Sequence, residues 1–67
     1  MDWRPLSSSN LNAFRYDPTT QTLSIRFNSG RAYDYAEVPQ SIVDGLESAD
    51  SPGRYFNSAI KGSFTES

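Results

Sequence analysis

The run Thr22-Leu-Ser-Ile-Arg-Phe27, followed by Asn28-Ser-Gly30 and Arg31-Ala-Tyr-Asp-Tyr35, decides the fold. Leu23, Ile25 and Phe27 alternate with Thr22, Ser24 and Arg26, the period-two pattern of a strand with one apolar face. Asn28-Ser29-Gly30 then supplies a short loop in which Gly30 takes the left-handed conformation that a tight hairpin requires. Residues 31–35 return antiparallel, with Tyr33 and Tyr35 on one face and Ala32 and Asp34 on the other.

Outward from this hairpin, residues 9–16 (Ser-Asn-Leu-Asn-Ala-Phe-Arg-Tyr) read as a further strand. Strict alternation puts Leu11 and Ala13 on one face and Asn12, Phe14 and Tyr16 on the other, so neither face is cleanly apolar. Asp17-Pro18-Thr19-Thr20 turns the chain: proline presets φ for the second turn position and Asp17 can accept from backbone amides further on. After Val38-Pro39 the period changes. Ile42, Val43, Leu46 and Ala49 fall at helical spacing within Gln40–Ala49, with Asp44 and Glu47 opposite. Gly45 costs this helix about 1 kcal/mol against alanine, which points to a close approach by a neighbouring backbone. A second short helix starts at Ser51 as cap and Pro52 in the first turn. Tyr55, Phe56, Ala59 and Ile60 form its apolar stripe and Gly62 stops it. Residues 1–8 read as a loose leader from which Trp3 or Leu6 can fold back, and residues 65–67 as a tail. The expected architecture is α+β: a three-stranded antiparallel β-meander followed by two short helices packed on one face, in one domain over residues 9–64. The other sheet face is then left open.

Composition narrows the chemistry. The chain has 67 residues, 36% of them apolar, and neither cysteine nor histidine. No disulfide and no Cys/His zinc site can be built. A core this small rarely supplies more than about 3–5 kcal/mol, so the aromatics must carry much of the burial. No apolar run approaches the roughly 18 residues of a membrane span, and residues 1–10 lack the apolar segment of a secretory signal. A cytoplasmic location is therefore expected. Eight acidic against six basic residues give a net charge of −2, which argues against a dedicated duplex-binding protein. The charge is unevenly spread: Glu37, Asp44, Glu47 and Asp50 lie together, whereas Arg54 and Lys61 follow with no acid between them.

The residues also carry a family resemblance. Ser9, Tyr16-Asp17, Leu23, Phe27, Gly30, the Tyr33-x-Tyr35 pair, Val38-Pro39, Leu46, Ser51-x-Gly53, Phe56-Asn57, Ile60 and Gly62 resemble the pattern of the KTSC domain, over roughly residues 8–64. That module occurs at the C-terminus of some lysyl-tRNA synthetases and as a free-standing protein. The resemblance implies a small module without an established activity, for which RNA binding has been suggested from its attachment to a tRNA-handling enzyme.

Two constellations are candidates for binding. Tyr33 and Tyr35 share a strand face about 7 Å apart. On an open sheet they would stack unpaired bases, with Arg26 and Arg31 supplying phosphate contacts. Beneath the helices they would instead be core. Arg54, Asn57 and Lys61 share a face of the second helix and offer a basic ridge, or a merely solvated one. Asp44 and Glu47 lie opposite the apolar stripe and should point into water. No nucleophile elbow or phosphate-cradling glycine loop is present, so no catalytic residue, metal ligand or cofactor is expected. The leading reading is a non-catalytic binding module for RNA, using Tyr33, Tyr35, Arg26, Arg31, Arg54 and Lys61. The alternative is a protein-interaction or self-associating module, since a half-covered aromatic sheet with a free edge invites partners.

Overall fold

The fold is taken from a computed structural model that describes residues 3–67. It runs β1 (Arg4–Pro5), β2 (Leu11–Asp17), β3 (Thr22–Phe27), β4 (Ala32–Tyr35), α1 (Gln40–Ser48) and α2 (Pro52–Tyr55), the last continuing into a π-helical segment, Phe56–Ile60. The strands form one antiparallel sheet in the order β1-β2-β3-β4. Alternation in β3 does what the sequence requires. Leu23 and Ile25 are fully buried on the side that meets the helices, with Val43, Leu46, Phe56 and Ile60 in the same cluster.

Four strands stand where three were expected. The addition is β1, which pairs Arg4 with Phe14 and Pro5 with Ala13. Of the leader predicted over residues 1–8, Met1 and Asp2 lie outside the described residues; Arg4 and Pro5 are an edge strand. Proline tolerates that place because an edge need not donate on both sides. A second difference lies in β2. The register shifts between Leu11 and Ala13, a bulge, so Leu11 and Phe14 are both buried in the core. Strict alternation had put them on opposite faces; one extra residue in the strand brings them to the same face.

Both helices differ in detail from expectation. Gly45 is approached by a side chain, not by backbone: a Cβ there would lie closer than 3.0 Å to the ring of Tyr55, whose hydroxyl donates to the Ile42 carbonyl at 3.0 Å. Ser51 is the N-cap of α2, but its side chain makes no capping bond; its carbonyl accepts from Tyr55 N–H at 3.0 Å. The wider winding that follows is closed by Lys61 N–H donating to Phe56 O at 2.8 Å, five residues back. Gly62, at φ +80°, turns the chain away. Thr65–Ser67 then returns along β4, where Glu66 bridges to Tyr35.

Candidate functional site

The sheet has two unlike sides, and the pairing decides which residues each receives. Tyr33 sits opposite Ile25 and Tyr35 opposite Leu23, so both tyrosines turn toward the helices. Tyr35 is 1% exposed and its ring meets Phe56 edge-on at 5.6 Å. Tyr33 is half-buried, edge-on to Phe27 at 5.8 Å. An open-sheet stacking platform made of these two rings is therefore not what the fold builds. Cross-strand partners of β3's apolar residues must share their face, and that face is the covered one.

The open side carries a different aromatic. The β1–β2 register puts Trp3 next in line beyond Arg4, on the face of Arg15. Arg26 lies across from Ala13 on the adjoining strand, on the same side. The guanidinium carbons of Arg15 and Arg26 lie 4.6 and 4.3 Å from the centre of the Trp3 ring. Each distance is within cation–π range, and indole is the strongest partner for a guanidinium. Beside this stack is a shallow depression of about 320 Å³ lined by Arg15, Asp17, Thr20, Thr22, Ser24 and Asp34. Ser24 is buried and donates to Asp34 Oδ1 at 2.6 Å, while Asp17 Oδ1 accepts from Thr19 N–H at 2.9 Å. Both acids of this face are thus held by protein donors, and the two arginines are held by the ring.

On the covered side a groove of about 440 Å³ runs between β4 and the π-helical segment. Tyr33, Tyr35, Asn57, Lys61 and Glu66 line it. Tyr35 donates to Glu66 Oε2 at 2.6 Å, and burial together with this bond pushes the phenol's pKa well above its usual value near 10. Arg31 donates to the Tyr33 hydroxyl at 3.3 Å, which raises the already high pKa of the guanidinium.

The six candidates thus separate. Tyr33, Tyr35 and Lys61 meet in the groove with Arg31 at Tyr33, whereas Arg26 is on the opposite face. Arg54 is exposed outside the groove. Of the ridge expected from Arg54, Asn57 and Lys61, the last two line the groove and Arg54 does not. The helix carboxylates are engaged locally: Asp44 accepts from Gln40 at 3.0 Å and Glu47 pairs with Arg4 at 3.1 Å. Sequence reasoning missed Trp3 and Arg15. Arg15 shared the strand alternation and was legible; Trp3 stands outside any periodic stretch.

The family model for the KTSC domain matches residues 7–64. The chain belongs to the KTSC domain family. A crystallised KTSC domain protein from Yersinia pestis superposes with a TM-score of 0.95 at 36% identity, covering 98% of this chain and 93% of that one. A lysine–tRNA ligase of Nostoc sp. is 48% identical over 56 residues, which are 84% of this chain and 10% of the ligase. A protein of Tsukamurella paurometabola is 43% identical over 61 residues, 91% of each chain. The KTSC domain is thus found both inside ligases, of which this chain spans about a tenth, and as a protein of its own size. Trp3 precedes the matched residues, whereas its partners Arg15 and Arg26 lie within them. Among the described residues no helix is long and apolar enough to cross a membrane.

Proposed function

We propose that this KTSC domain is a non-catalytic binding module that takes unpaired RNA on the open face of its sheet. The observation that carries the reading is the stack of Arg15, Trp3 and Arg26 on the side without helices. Trp3 is half-buried, with both guanidiniums at its ring; a base stacked on what the ring still shows contributes about 1–3 kcal/mol, in any sequence, because every base has a π-face. Guanidiniums already oriented by a ring need lose little freedom to meet phosphates. The depression beside the stack adds the hydroxyls of Thr20 and Thr22, groups suited to sugar and phosphate oxygens. The net charge of −2 suits a short single-stranded contact better than a long duplex footprint. The ligase relatives, whose name joins lysine to tRNA, supply a context in which such a contact would be used.

The test uses the protein's single tryptophan, Trp3, as its own reporter. A short single-stranded RNA should quench its fluorescence on titration. Two phosphate contacts predict a slope near −1.4 in log affinity against log salt, about a seven-fold loss between roughly 50 and 200 mM. Labelled RNA followed by anisotropy should bind Trp3→Ala at least about five-fold more weakly, the low end of one lost stack. Arg15→Ala with Arg26→Ala should abolish the salt dependence. RNA that binds Trp3→Ala as tightly as the parent, or that fails to bind at low salt, overturns the assignment.

A further inference from the structure

The outer edge of β4 is covered by the chain's own final residues. Ala36 N–H donates to Thr65 O at 3.0 Å, Asp34 N–H to Ser67 O at 3.0 Å, and Ser67 N–H back to Asp34 O at 2.9 Å. Tyr35 and Glu66 face each other in this antiparallel bridge. Period two then puts Phe64 on the side of Glu66. Phe64 packs against the core, and the Glu66 carboxylate accepts from the buried Tyr35 hydroxyl. The segment therefore presents an aromatic residue, a spacer and a carboxylate to the sheet, with backbone bonds between.

That is the chemistry of strand addition: main-chain bonds hold the incoming strand and alternate side chains are read by pockets. The paired stretch is short. Its pairing spans three exposed residues, reached through the Gly62 turn. Beyond the bridge the groove continues past Tyr33 and Lys61, and Arg31 is bonded to Tyr33, so its polar groups suit further acids rather than bases.

We propose that the β4 edge and this groove form a binding site for an extended acidic peptide of the pattern aromatic–x–carboxylate, which residues 64–67 occupy in cis and an incoming strand displaces. The site is separate from the open face, so its success or failure is independent of RNA binding. A tethered strand competes at an effective concentration in the millimolar range. The apparent affinity for a free peptide is lowered by the small fraction of molecules in which the edge is open. Loosening the cis segment should therefore strengthen binding in trans.

Two variants of the chain loosen it, and neither replaces a core residue. Glu66→Ala removes the carboxylate, and Ser67→Pro removes the N–H that donates to Asp34. The probe is a fluorescent Gly-Ser-Phe-Thr-Glu-Ser peptide, with a Glu-to-Ala version as control. Anisotropy should show binding to both variants about ten-fold or more tighter than to the parent chain, and loss of that binding with the control peptide. Hydrogen exchange at the Asp34 and Ala36 amides should be fast in the variants and slow again once peptide is added. The proposal falls if those amides open in either variant while the peptide still does not bind at millimolar concentration, if they stay protected in both, or if the control peptide binds equally well.

Discussion

Gly45 shows how much one missing methyl group decides. Helix propensity alone favours alanine there by about 1 kcal/mol. Yet a Cβ would fall closer than 3.0 Å to the hydroxyl, Cζ and Cε2 of Tyr55. That ring is half-buried and its hydroxyl is bonded to the Ile42 carbonyl, so it cannot swing aside without losing the bond between α1 and α2. Overpacking of this kind costs about 1–3 kcal/mol and the lost hydrogen bond about 1 more. Gly45→Ala should therefore destabilise by roughly 1–3 kcal/mol net of the propensity gain, read from urea unfolding midpoints. In the background of Tyr55→Ala the sign should reverse, because the obstacle is gone and only propensity remains. A Gly45→Ala protein as stable as the parent would mean that the ring has room to move.

At the scale of elements, legibility followed length and regularity. The hairpin of β3 and β4 and the stripe of α1 were readable, because elements of four to nine residues sample their period at least twice. β1 was not, since two residues have no period and one is proline. β2 was read as a strand with its faces confused, because the bulge after Leu11 breaks the parity on which face assignment depends. The same limits governed the candidate site. The tyrosines' position followed from which side of β3 the helices cover, a tertiary fact. Trp3 gained its place only through β1. What anchors β1 can be weighed by magnitude. Its ion pair, Arg4 to Glu47, joins side chains that are 65% and 32% exposed, and such pairs contribute at most about 1 kcal/mol. The pairing to β2 and the indole stack have more to offer. Arg4→Ala should thus change unfolding free energy by less than about 1 kcal/mol and leave Trp3 fluorescence unaltered. A larger loss, or a red-shifted Trp3 emission, would make the ion pair the anchor of the strand.

For the whole molecule, stability resides in one small core, and a single buried phenol links it to pH. Tyr35 is nearly inaccessible and donates a hydrogen bond to the Glu66 carboxylate, so its ionisation in the folded state is displaced upward, first by burial and then by that bond. In the unfolded chain it titrates near 10. Between those two pKa values the folded state holds a proton that the unfolded state has released, so unfolding free energy must fall as pH rises. The contribution is fully present below about pH 10 and is lost progressively above it, at a rate approaching ~1.4 kcal/mol per pH unit. Tyr35→Phe removes this linkage. It should cost about 1–3 kcal/mol at neutral pH, because the Glu66 carboxylate loses its donor, and the deficit relative to the parent should shrink as pH climbs past 10. Urea melts of the two proteins at a series of pH values give the difference directly, with contributions from the other tyrosines cancelling between them. A deficit that stays constant through this range would show that Tyr35 ionises in the fold as freely as in water, and that the core does not reach the edge at which Glu66 binds.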